Sequence, residues 1–211
     1  KEILLNTKFD DAAPVVDLVN QQISNIKNLI TNSPLNLLVM RNLALSSNCS
    51  NYQNYLSGLD YYNFLTEVEK ALKSNPDAVL AQLEAMHELV VNRTNIITMF
   101  SGNEDSIAQY EKAIKSLIDA LPVKAIVAQD YSALPTPAQR EAIVIDTPVQ
   151  YNMISATYED MGAEFNGKFF PIASVISENY ITPKIRLGYG AYDNLLEFST
   201  TAFMMLSYRD P

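Results

Sequence analysis

The sequence predicts an α+β chain, helix-rich in its first part and built on an antiparallel sheet with a packed helix in its second. Three observations predict it. Apolar residues recur at three- and four-residue spacing from Val15 to Leu121, the period shortens to alternation after Arg140, and an aperiodic segment carrying Pro135 and Pro137 lies between.

The elements follow in order. Asp10 and Asp11 are N-cap candidates ahead of Pro14, which suits a first turn because its missing N–H costs nothing there. Val15, Val16, Val19, Ile23, Ile26 and Ile30 then form one apolar stripe, broken at Asn32-Ser33-Pro34. A second helix runs through Leu35, Leu38 and Leu45, and Ser46-Ser47-Asn48 ends it. A short helical piece over residues 52–56 stops at Gly58, a C′ candidate. Residues 59–72 and 78–91 read as two further helices separated by Asn75-Pro76-Asp77. The run Ile96-Ile97-Thr98-Met99-Phe100 has the composition of a buried strand, and residues 104–121 return to helix. Beyond the proline segment, residues 142–145, 151–158, 189–196 and 202–208 read as strands. Residues 169–184 read as a helix packed through Phe170, Ile172, Val175, Ile176 and Tyr180. The opening Lys1-Glu2-Ile3-Leu4-Leu5 starts mid-element and the closing Tyr208-Arg209-Asp210-Pro211 reads as the turn into a further element, so a piece of a longer polypeptide is expected.

Composition removes several functions. The 211 residues carry 24 acidic against 15 basic side chains, a net charge of −9, which disfavours a phosphate-binding surface. An apolar share of 48% is enough for a core, yet no run approaches the ~20 residues of a membrane span. One cysteine, Cys49, excludes an internal disulfide; the low count suits a bacterial cytosol, slightly favoured, and also suits secretion. One histidine, His87, leaves any zinc site here dependent on carboxylates.

The chemistry-bearing patterns are few. His87-Glu88 lacks the second histidine of H-E-x-x-H, because Val91 stands in its place, and reads as an ordinary helix histidine. Cys49 reads as a structural thiol, and Glu67, Glu69 and Asp77 as a solvated helix face. Glu159-Asp160 ends a strand and lacks the oxygen density of a calcium loop. Gly188-Tyr189-Gly190 lacks the third glycine of a phosphate loop and suits a sharp helix-to-strand turn. Arg186 at the helix end and Tyr192 in the following strand could together grip a carbonyl or carboxylate; pattern alone favours a helix-terminal arginine and a half-buried strand tyrosine.

The run Arg186-Leu187-Gly188-Tyr189-Gly190-Ala191-Tyr192, followed by Ser207-Tyr208-Arg209-Asp210-Pro211, resembles the C-terminal, non-zinc half of pitrilysin/insulinase-type zinc metallopeptidases, in their presequence-protease-like branch. Tyr189 stands where that branch has the first glycine of a pair. Upstream, Leu43-Ala44-Leu45-Ser46-Ser47, residues 58–65, Asn92-Arg93-Thr94-Asn95 and Ser101-Gly102-Asn103 resemble the same branch.

The resemblance implies two related α/β sandwich domains of the metallopeptidase type, as in LuxS and mitochondrial processing peptidase. Residues 1–123 are then the end of a third domain, 124–140 a linker, and 141–211 the start of a fourth. It implies a parent zinc-dependent metalloendopeptidase that degrades unfolded peptides. The inverted zinc motif and its base lie in an N-terminal half of the same polypeptide, and Arg186 and Tyr192 reach across to the reaction centre. Peptide substrates and that N-terminal half are the implied partners, with no nucleic acid and no membrane. Zinc belongs to the parent; this chain is expected to bind none and to be inactive alone. The alternative is a non-catalytic scaffold or binding subunit of peptidase-like fold, which has no need of the Arg186-to-Tyr192 spacing.

Overall fold

In a computed structural model, which describes residues 2–128, 130 and 134–211, eight α-helices and three strands are formed among the described residues. Residue 1, and residues 129 and 131–133 of the expected linker, lie outside them. The chain divides into two units. One comprises residues 1–20 and 67–129, the other residues 21–66 and 130–211.

The first unit holds α1 (Glu2–Asn6), the start of α2 (Ala13–Asn32), the end of α5 (Leu59–Ser74), α6 (Pro76–Val90) and α7 (Glu104–Ile118). Asp11 opens α2 by accepting the Ala13 N–H at 2.9 Å. Asn75 caps α6, accepting from Ala78 N, and Asn103 caps α7, accepting from Ser106 N at 2.9 Å. Val19, Leu72, Val79, Leu80, Val91 and Leu121 are buried here. So is Asn92, whose amide treats Lys124 as a strand would: Nδ2 donates to Lys124 O at 2.9 Å and Oδ1 accepts Lys124 N at 3.1 Å. His87 meets the Phe9 ring edge-on at 5.4 Å, and Glu88 pairs with Lys124, which holds its carboxyl below the usual range.

The strand expected at 96–100 does not form. Arg93–Asn95 make one 3₁₀ turn, and the following residues run irregularly, with Ile97 93% and Met99 91% exposed. A β-run needs a ladder partner for its N–H and C=O groups, and none lies beside it among the described residues. Phe100 instead stacks on Tyr110 of α7, ring centroids 4.6 Å apart.

The second unit holds the rest of α2, α3 (Pro34–Leu43), α4 (Asn48–Ser57), the start of α5, strands β1 (Gln150–Thr157), β2 (Asp193–Phe198) and β3 (Ala202–Asp210), and α8 (Phe169–Ile176). Ser47 caps α4, accepting from Ser50 N. Gly58 ends α4 at φ −97°, so it is not a left-handed cap. A Cβ there would lie 2.9 Å from both Asn54 O and Met40 Sδ, and close approach is its reason. Cys49 is exposed on the first turn of α4, not packed as a structural thiol. Arg41 of α3 forks onto Glu141 (2.7 and 2.9 Å) and reaches Asp60 at 2.7 Å. Asn51 donates to Leu134 O and Pro135 O, and Tyr55 also reaches Pro135 O, so α4 fastens this part of the proline segment. Residues 142–145 keep the alternation of a strand, with Val144 96% exposed between half-buried Ile143 and Ile145, but pair with no strand among the described residues.

The sheet is antiparallel in the order β1-β3-β2. Its register pairs Leu206 with Met153 and Leu195, and Tyr208 with Tyr151 and Asp193. Alternation puts Ala202, Met204, Leu206 and Tyr208 on one face, where the first three are buried. Phe198 and Phe203 stand on the other face, where Phe169 lies 5.2 Å from Phe198. Tyr158, buried, stacks on Phe169 and donates to Ser199 O at 2.7 Å.

The face expected to pack α8 is wrong. Phe170, Ile172, Val175, Ile176 and Tyr180 are exposed, whereas Phe169, Ala173, Ser177, Ile181 and Ile185 turn inward. That inward stripe repeats every four residues, which outruns a turn of ~3.6 residues. The chain keeps it aligned by widening into π-helical turns at Ser177–Ile181 and Pro183–Gly188.

Candidate functional site

Arg186 sits in the last π-turn before the sheet. Tyr189 N donates to Lys184 O and Ala191 N to Ile185 O, closing the turn, and Thr182 ties it to β2 through Asn194 Oδ1 at 3.2 Å. Gly190 has φ +82°, which only glycine adopts freely, whereas Gly188 needs no such conformation. Tyr192 therefore falls one residue before β2 and not inside a strand, with 57% of its surface exposed. A chain emerging from a left-handed turn needs those residues to reach ladder geometry.

Each of the two side chains approaches one member of a third pair, Asp193 and Tyr208. Tyr208 Oη donates to Asp193 Oδ2 at 3.3 Å, and Arg186 Nη1 lies 3.9 Å from Asp193 Oδ1. The Tyr192 ring rests 5.9 Å from the Tyr208 ring, and the Arg209 guanidinium stands 5.3 Å over Tyr192. Burial, then the charge and hydrogen bond of Asp193, push the Tyr208 phenol above its ordinary range. The Tyr192 hydroxyl has no partner among the described residues, and half of the Arg186 side chain is exposed. Both remain available to an external acceptor. Beside them an open groove of about 550 Å³ runs between Val39, Met40 and Leu43 of α3 and Leu195, Leu206 and Tyr208 of the sheet. A phenol O–H and a guanidinium next to an apolar groove can hold a carbonyl or carboxylate oxygen while burying an adjoining apolar side chain.

Sequence reasoning named Arg186 and Tyr192 but missed Asp193, Tyr208 and Arg209. The register that sets Asp193 against Tyr208 leaves no local mark, although Tyr208-Arg209 lies in a stretch already singled out. Elsewhere, Asp160 accepts from Thr157 Oγ1 at 2.6 Å and so closes a turn. Glu67 and Glu69 pair with Lys70 and Lys73 on the α5 surface. Among the described residues no three His, Cys, Asp or Glu side chains converge.

Residues 140–211, which contain this cluster, match the PreP C-terminal domain. The chain is similar over its whole length to Protein HypA of Clostridium perfringens, with 25% identity over 211 residues. It is also similar to presequence protease 1, chloroplastic/mitochondrial, of Arabidopsis thaliana, with 26% identity over 214 residues and 99% of this chain. The chain is thus similar to the C-terminal half of presequence-protease-like peptidases. It spans about a fifth of the length of these relatives, 21% and 20%. The α+β expectation holds, with helices preceding a small antiparallel sheet.

Proposed function

We propose that the chain is the non-catalytic part of a zinc-dependent metalloendopeptidase that degrades unfolded peptides. In this reading residues 1–123 end a third peptidase-type domain and residues 141–211 begin a fourth, joined through 124–140. The metal and its ligands belong to an N-terminal half of the same polypeptide. Arg186 and Tyr192 serve the substrate: the guanidinium holds a backbone carbonyl, and the phenol donates to the oxygen on which charge develops during attack. A positioned donor of that kind is worth roughly a hundred- to a thousandfold in kcat. Providing both from a separate half makes turnover depend on closure over the peptide.

The observation that supports this most directly is the clustering of Arg186 and Tyr192 around Asp193 and Tyr208, with the Tyr192 hydroxyl unengaged beside an apolar groove. The test is Tyr192→Phe in the full-length polypeptide, which removes one donor without changing shape. Peptide-cleavage kinetics should show kcat lowered by roughly ten- to a thousandfold with KM little changed and the melting temperature kept. Wild-type turnover, or a loss explained by unfolding, would overturn the reading.

A further inference from the structure

Arg209 has φ +54°, and it is the one non-glycine among the described residues in the left-handed region. The register explains where that conformation comes from. On β1, Tyr151 faces Tyr208 and the next residue, Gln150, faces Asp210, so Arg209 is the unpaired extra residue of a β-bulge. The left-handed position of such a bulge ordinarily takes glycine. An arginine there holds a backbone conformation its Cβ disfavours, and bulges recur beside sites where a side chain must be re-aimed. Here the re-aimed group is the guanidinium, 5.3 Å over the Tyr192 ring. The same ring also meets Tyr208, which Asp193 fixes through its hydroxyl while also facing Arg186.

We propose that Arg209 is a positioning residue: the bulge in β3 aims its guanidinium onto Tyr192 and holds that ring where its hydroxyl can serve the bound peptide. This rests on the role given to Tyr192 above. Tyr192 precedes β2 and is largely exposed, so the ladder does not orient it. A cation over one face and a phenol ring beside it restrict the ring without consuming its hydroxyl. A guanidinium suits this better than an ammonium because it is flat and less strongly hydrated.

The experiment uses the full-length polypeptide with Arg209→Gly, which adopts φ +54° without strain and removes the clamp. A merely structural arginine and a positioning one predict opposite results. Positioning predicts a melting temperature at or above wild type together with kcat lowered about 10- to 100-fold, the scale of a small misplacement at a reacting centre. Arg209→Lys, which restores charge but not the flat face, should fall between. Added to Tyr192→Phe, Arg209→Gly should cost nothing further, since both act through one hydroxyl. A fluorine-labelled Tyr192 should move toward the resonance of an exposed tyrosine in Arg209→Gly. Unchanged kcat and an unmoved resonance, or a kcat loss matched by a fall in melting temperature, would overturn the proposal. Should Tyr192→Phe alone leave kcat intact, the reading of Tyr192 fails; an unmoved resonance in Arg209→Gly then refutes the clamp separately.

Discussion

At the scale of single residues, the site depends on Asp193, which faces Tyr208 on one oxygen and Arg186 on the other. Tyr208 stays neutral to a higher pH than a free tyrosine, through burial first and Asp193 second. Its folded pKa lies above the unfolded one, so the neutral phenol's contribution to stability is complete below about pH 10 and is lost as pH rises through the folded value. Asp193→Asn removes the charge next to the phenol but leaves its burial. The expected outcome is that Tyr208 titrates at lower pH than in wild type though still above a free tyrosine, and that stability begins to fall at lower pH on the alkaline side. Phenolate absorbance followed through the titration, with Tyr208→Phe as the reference, checks both; an unshifted curve removes Asp193 from the account. Arg186 and Tyr192 were singled out by a family resemblance, since the glycine turn between them by itself favoured a helix-terminal arginine and a half-buried strand tyrosine. Arg209 was not, because a bulge is a property of two strands in register and leaves no composition signal in one.

At the scale of elements, the sequence pattern read the helices well and the strands less so. The α2 stripe from Val19 to Ile26 is buried as its spacing requires, and the strands at 151–158 and 202–208 appear as β1 and β3 within two residues. The runs at 96–100 and 142–145 failed for one reason: apolar alternation is a property of a segment, whereas a strand is a property of a pair. The helix at 169–184 forms, but its inward face was misread, since a 3.6-residue template cannot detect a stripe that repeats every four residues. That correction is testable. Ala173 is buried on the inward stripe and Val175 is exposed on the face the periodic reading favoured. Ala173→Leu should therefore cost about 1–3 kcal/mol through overpacking, while Val175→Ala should stay within about 0.5 kcal/mol. Denaturant titration of this chain checks the pair; the reverse order would restore the regular helix face.

At the scale of the whole molecule, the deciding quantity is exposed area. The chain presents 14562 Å² to solvent. A folded monomer of its 23.6 kDa mass presents roughly 9,800 Å², and even two separate bodies sharing that mass equally would present roughly 11,800 Å². Large apolar side chains are among the exposed groups: Ile97, Met99, Val123 and Val127 in one unit, and Val144, Ile154, Phe170 and Leu187 in the other. The 48% apolar content promised enough material for a core, but composition carries no statement of how much of it this chain buries by itself. At about 25 cal/mol per Å², burying even a few hundred Å² of that surface against another molecule offsets several kcal/mol of association cost. A net charge of −9 opposes it, and salt screens that repulsion within about 10 Å at 0.1 M. The 211-residue chain should therefore self-associate as concentration rises, and more strongly at high salt than at low. Light scattering across a dilution series at two ionic strengths measures this directly. A monomer at every concentration and salt would mean that the exposed side chains are too scattered to form a contact. Association that weakens with salt would point instead to ion pairs between copies, and away from the apolar residues named here.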